Sequence, residues 1–341
     1  MHEALRHSAD GRLRVGPEEQ EIFLQDYTFD EQDTRREPRA RNEPESTLRR
    51  RTPMTGGIVL VTGATGTVGS GLIPLLAATG VPVRAVSRRR LSSRQASPGI
   101  EAMRADLRDP VATAAALVGV ERLFLATPLE EDMAAVAARV VEQAGDAGVR
   151  HVVRLSAFGA GGGARTRLAA IHEETEAALR QSGIPFASLR PNAFMQNTIG
   201  QFADQIRRWG RFEAPQGGGR VSVIDTRDVA AVAARLLMQS PPPTGCFDLT
   251  GPAALSNHEI AGVLSRVLGR DIEYVDTDAD EARAALLAQG VSAWLTDIVM
   301  ELYTLSARDG AARVTSDVAE VLGRAPALFE DFAADYADSF R

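Results

Sequence analysis

The chain has 341 residues, a formal net charge of −7 and 44% hydrophobic residues, enough for one large α/β domain or a core with a smaller cap, and too much for a peptide-sized binding module. The acidic balance gives no electrostatic reason to expect nucleic acid, which a basic stripe would signal. A lone cysteine, Cys246, excludes an intramolecular disulfide and a multi-cysteine metal site, no metal is expected, and all 38 basic residues are arginine, so any mechanism that needs lysine is excluded too.

No run of about 18 apolar residues reads as a membrane span, and the N-terminus carries no apolar signal core. With the single cysteine, this predicts a soluble cytoplasmic protein in a reducing compartment, with no membrane partner. Residues 1–55 mix charges with few apolar side chains and show no sustained period, so a disordered tail is expected. One short apolar patch there, Ile22 to Leu24 with Tyr27 and Phe29, is suited to docking on a surface. Met54 offers an alternative translation start.

From residue 56 to 341 one nucleotide-binding domain is expected. Its pattern to about 195 is strand, glycine loop, helix, strand, repeating. Strands are predicted at 58–62, 82–87, 100–104, 121–126, 150–155 and 185–190. Ala-rich helical stretches lie between them, such as "MAAVAARVVEQAGDAG" and "AAIHEETEAALRQSG", each closing on glycine. The alternation predicts an α/β fold, a doubly wound parallel sheet. Beyond 195 the regularity loosens, and residues 196–341 read as a smaller C-terminal substrate or lid region over the carboxyl edge of the sheet.

Within "VTGATGTVGSG", Gly63, Gly66 and Gly69 follow the first strand at three-residue spacing and open the first helix. The first allows a sharp turn, the second lets backbone N–H groups approach a pyrophosphate, and the third lets helix and strand pack closely. Pro74 falls inside that helix and predicts a slight kink. The second strand ends in "VRAVSRRR" without the acid that would bind the ribose hydroxyls of NAD. Arg88 stands there instead, where a guanidinium can pair with a 2′-phosphate, so NADP(H) is favoured. For Arg90 and Arg94 a solvated arginine run is an equally good reading. In "ADLRDP", Asp106 is placed to bond adenine, and Asp109 before Pro110 reads as a helix N-cap.

Taken together, "GATGTVG", "RAVSRR", "ADLRDP", "FLATP", "RLSAFGA", "SGIPFASLRPNAFMQN" and the later "RDVA" and "FDLTGPAALSNHEIAGVLSRVLGR" resemble the NmrA-like group of atypical short-chain dehydrogenases/reductases. That group holds quinone, triphenylmethane and isoflavone-type reductases as well as NADP-sensing regulators. The resemblance starts at about residue 57 and leaves out the tail. It implies that Thr62, Gly63, Thr65, Gly66 and Gly69, with Thr67 and Val68, line the pyrophosphate. It implies Thr127 and Pro128 beside the nicotinamide-side ribose, Ser156 and Ala157 flanking the nicotinamide, and Pro191 and Asn192 near its carboxamide. Phe158, Phe194 and Asn197 fall on the substrate side.

The departure lies at the catalytic centre. Relatives in the wider superfamily use a Tyr-x-x-x-Lys pair, in which lysine lowers the tyrosine pKa. This chain has no lysine, and its four tyrosines lie outside the relevant helix. His172, which opens "HEETEAALRQSG", falls where isoflavone-reductase-like members keep a catalytic lysine. It is either a holder of the nicotinamide ribose or a proton donor, or an ordinary helix-end histidine. Glu173, Glu174 and Glu176 read as a solvated helix face.

The function expected is an NADPH-dependent reductase of an aromatic, quinonoid or keto small molecule. The alternative is a non-catalytic NADP(H)-sensing regulator, with an isomerase or cyclase on the same scaffold as a third reading. The sequence leaves open a homo-oligomer and a protein partner for the tail.

Overall fold

The computed structural model describes residues 57–91, 99–161, 163 and 165–341; the tail readings, like Arg94, lie outside them. Short β-branched runs form the first layer: β1 (Ile58–Val61), β2 (Val83–Ser87), β3 (Ile100–Arg104), β4 (Val120–Leu125), β5 (His151–Leu155) and β6 (Phe186–Pro191). Each lies within one residue of its predicted bounds. Helices alternate with them: α1 (Thr67–Ala77), α2 (Pro110–Leu117), α3 (Met133–Asp146) and α4 (Arg167–Ser182). Asp109 caps α2 as expected, accepting from the Val111 and Ala112 amides. Pro74 sits on the exposed side of α1, which continues through it to Ala77.

The remaining elements are α5 (Gln196–Trp209), β7 (Arg211–Ala214), β8 (Arg220–Val221), α6 (Thr226–Met238), β9 (Gly245–Leu249), β10 (Leu255–Ser256), α7 (Asn257–Leu268), β11 (Glu273–Asp276), α8 (Ala279–Ala288), α9 (Ala293–Ala307), α10 (Asp317–Leu322) and α11 (Phe329–Asp335). β9 completes a seven-stranded sheet in the order β3-β2-β1-β4-β5-β6-β9. Every pairing in it is parallel. Such a sheet needs both faces covered. On one face Leu72, Ile73 and Leu76 of α1 pack with Val229, Ala233 and Leu236 of α6. On the other, Leu117, Val140, Val141 and Leu179 bring in α2, α3 and α4.

The C-terminal region has a core of its own. Phe202 and Ile206 of α5 meet Phe212, Tyr274, Leu264 and Phe332, with the Phe202 and Phe212 rings 4.8 Å apart. Asn192, just past β6, ties this region to the sheet: its side-chain amide donates to Ser222 Oγ and to the Ala311 carbonyl, both at 2.8 Å. The chain leaves β1 toward β2 and β3, then returns to place β4 on the other flank. That reversal opens a crevice at the carboxyl ends of β1 and β4, where sheets of this class bind ligands.

Candidate active site

The loop after β1 is shaped by its glycines. Gly63 has φ +60°, a left-handed backbone that favours glycine. A Cβ on Gly69 would lie 2.2 Å from the Gly63 carbonyl oxygen, so helix and loop pack closely only because none is there. Gly66 stands at the N-cap of α1 and no side chain caps that helix. An uncapped helix start aimed from a tight glycine turn suits a pyrophosphate.

Thr62 behaves otherwise than expected. It is fully buried, and its hydroxyl lies 2.8 Å from the Ala126 carbonyl and accepts from the Ala126 amide at 2.8 Å. It staples β1 to the end of β4, and its side chain does not line the crevice. Val68 is likewise buried in the core against the sheet.

Of the expected residues, Gly63, Thr65, Arg88, Asp106, Thr127 and Pro128 line one cleft. Arg88 enters it from the end of β2 and pairs with Glu130 at 3.0 Å. Sequence reasoning missed Glu130, as it did Arg108. Glu130 also pairs with Arg108, which engages Asp132 at 2.7 Å. The Arg108 guanidinium holds the Asp132 carboxyl below the usual range. The signal was present in "LEED" and "ADLRD", whose charges the fold brings to one rim.

Behind Thr127, β5 contributes Arg154, also missed. It is 1% exposed. It donates to the Leu125 carbonyl at 3.1 Å, to the Leu155 carbonyl, and to Thr127 Oγ1 at 3.3 Å. It also meets His172 Nδ1 at 3.5 Å. Burial pushes its pKa down to about 10, partly offset by Glu176. The helix holding His172 begins at Arg167, capped by Thr166, so this histidine lies inside the helix rather than at its start. Burial, and next the Arg154 charge, hold its pKa well below 6.5. That shift favours the neutral imidazole at pH 7.

Glu176 overturns its reading as a solvated residue. It is fully buried and accepts from Ser156 Oγ and Ser188 Oγ at 2.7 Å and from Arg190 Nε at 2.9 Å. Burial raises its pKa, but bonds from Arg190, Ser188 and Ser156 outweigh this and keep it ionised below the usual range. The Ser156 hydroxyl at the end of β5 is thus turned toward α4.

Elsewhere, Ala157 is buried, and the Phe158 amide donates to the carbonyl of Pro191 at 2.9 Å. The Phe158 ring lies under the Arg313 guanidinium at 4.9 Å. The Asn192 amide is committed to the C-terminal region, as described above. Phe194 bridges to Ile224, and Asn197 sits half-buried in the first turn of α5.

A family described as NAD(P)H-binding matches residues 63–240. The chain belongs to this NAD(P)H-binding family. It is 35% identical over 284 residues to NAD(P)H azoreductase of Xenophilus azovorans, an alignment spanning 83% of this chain and 99% of that protein. It is 38% identical over 292 residues to (4-alkanoyl-5-oxo-2,5-dihydrofuran-3-yl)methyl phosphate reductase of Streptomyces griseus, again 83% and 99% of the two chains. Among solved structures, NADPH-dependent quinone oxidoreductase of Escherichia coli complexed with NADPH superposes with a TM-score of 0.73 at 26% identity, covering 81% of this chain and 98% of that one. This family member is an NAD(P)H-dependent oxidoreductase of the atypical short-chain dehydrogenase type. Among the described residues no helix is long and apolar enough to cross a membrane.

Proposed function

We propose that the protein reduces a conjugated small molecule, of quinonoid, aromatic or keto type, with NADPH as hydride source. The observation that carries the choice of NADPH is Arg88: it lines the cleft at the end of β2, where an NAD-binding protein places an acid. The relatives support the substrate class. Their names describe an azo, a quinone and an acyl-oxo-dihydrofuran reductase, and each such acceptor spreads an incoming electron pair over a conjugated system.

In this reading the backbone from Gly63 to Gly69 holds the pyrophosphate, Arg88 the 2′-phosphate and Asp106 the adenine. Thr127, Pro128, Ser156 and Ala157 bound the nicotinamide side, with Pro191 and Asn192 closing it. When bound, the cofactor supplies hydride. The protein orients the acceptor and excludes water around it, with Phe158, Phe194 and Asn197 on the substrate side. A stabilised anion takes its proton from water, so no tyrosine is required. His172 serves as a neutral hydrogen-bonding group. The C-terminal region, 196–341, covers the acceptor, and the protein works in the cytoplasm.

The sensor reading is less well supported, because the two relatives that span 83% of this chain are reductases by name. Anaerobic NADPH consumption with azo, quinone and enone panels tests the proposal. Turnover with at least one class is expected, and tight NADPH binding without turnover on any would overturn it.

A further inference from the structure

Among the described residues three strand positions hold buried arginines, and two have an evident task. Arg84 donates to the carbonyls of Ala116 and Val118 at the end of α2 and pairs with Glu101. Arg122 donates to the carbonyls of Leu237 and Gln239 at the end of α6. Both thus face the negative end of a helix. Arg154 faces none: its carbonyl partners end β4 and β5. Among the described residues no carboxylate lies within ion-pair distance of it, the ionised Glu176 acts on it only from farther off, and its Nε has no partner. Burying a charge without a contact partner is costly, and such sites are enriched where the charge serves chemistry.

We propose that Arg154 is a positioning residue that takes over, through Thr127 and His172, the electrostatic part that lysine plays in the Tyr-x-x-x-Lys pair. Guanidinium can only donate. Thr127 Oγ1 therefore accepts from it, which leaves the threonine proton free to serve an acceptor in the cleft that Thr127 lines. His172 Nδ1 accepts as well, which puts the ring proton on Nε2. One fixed positive charge so polarises two neutral donors, of which Thr127 lines the cleft and His172 is buried behind it. A nearer counter-charge than Glu176 arrives with the reaction: the acceptor gains hydrogen and an electron pair, the nicotinamide is oxidised, and the conjugated oxygen or nitrogen of the acceptor carries the negative charge until water protonates it. Preorganised donors aimed at developing charge are among the strongest catalytic devices.

This inference rests on the reductase reading, and the test separates the two. Arg154→Met, Arg154→Lys and Thr127→Val are compared with the unsubstituted protein in NADPH affinity, in hydride-transfer rate across quinones of graded hydroquinone acidity, and in binding of 4-nitrophenolate against neutral 4-nitroanisole to the NADP⁺ complex. For Arg154→Met we expect NADPH affinity within threefold, hydride transfer at least tenfold slower and most slowed for acceptors giving the most basic anion, and a tenfold loss of phenolate but not anisole binding. Arg154→Lys restores part of each, and Thr127→Val, which removes no buried charge, reproduces the acceptor-dependent slowing and the loss of phenolate preference if Arg154→Met does not fold. Uniform slowing across the quinones, or phenolate bound no better than anisole by the unsubstituted protein, overturns the inference. Phenolate preference lost in Arg154→Met without turnover on any acceptor by the unsubstituted protein sinks the reductase reading and the inference with it, leaving only an anion-binding Arg154, whereas turnover with no phenolate preference sinks the inference alone.

Discussion

Glu130 is the acid on the rim of the cleft, and its neutralisation tests how the cofactor is chosen. Its carboxylate, only 14% exposed, engages Arg88 at 3.0 Å and also pairs with Arg108. A 2′-phosphate that uses Arg88 must displace it. Partly exposed ion pairs are worth about 0.2–1 kcal/mol each, so two of them hold back about 0.4–2 kcal/mol from NADPH binding. Glu130→Gln releases that amount and should tighten NADPH about 2–30-fold. NADH has no 2′-phosphate and gains little, so the ratio of the two affinities rises. Fluorescence titration of both cofactors, at low and high salt, measures this, and the gain should shrink at high salt. Equal changes for NADPH and NADH, or weaker NADPH binding, would refute the competition argument; the latter would mean that Glu130 instead organises Arg88 for the phosphate.

Gly69→Ala forces a Cβ to 2.2 Å from the Gly63 carbonyl, so loop and helix must part at a cost of about 1–3 kcal/mol; thermal melts with and without NADPH should show lower stability and at least tenfold weaker binding. Glu176→Ala leaves Arg190 unpaired beneath α4 and should cost about 3–5 kcal/mol in urea denaturation, with a change under 1 kcal/mol contradicting the buried network. His172 has a folded pKa well below its unfolded value of 6.5, so its stabilisation is complete above pH 6.5 and is lost as pH falls. One extra proton on the unfolded chain removes about 1 kcal/mol over the first pH unit below 6.5. His151 is shifted in the same direction by burial, so in urea melts His172→Gln should remove only part of that acid slope, and an unchanged slope would contradict the buried neutral imidazole.

The sheet was legible because parallel strands buried on both faces read as unbroken apolar runs between glycines, as in "IVLVT" and "RLFLA". β9 escaped notice, since "GCFDL" is an edge strand with few apolar residues and sits after a triple proline. In the site, the glycine loop and Arg88 were readable because their chemistry is local. Glu176 was not: in "HEETEAAL" it looks like one acid among three, and only the fold sets Ser156, Ser188 and Arg190 around it. Arg154 left a trace, a charge within the apolar run "HVVRLS", whose meaning depends on a loop and a helix far off in sequence. Thr62 was placed by resemblance on the cofactor, whereas its hydroxyl holds the end of β4, and the side-chain amide of Asn192 holds the C-terminal region, a link the sequence did not reveal.

The most direct test of the account joins binding to turnover in one preparation: NADPH titration of the unsubstituted protein and of Arg88→Ala, followed by NADPH oxidation with quinone and azo acceptors. We predict NADPH binding weakened at least tenfold by Arg88→Ala with NADH binding unchanged, and steady turnover on at least one acceptor class. Equal affinity of both proteins for NADPH, or no oxidation with any acceptor, would contradict it.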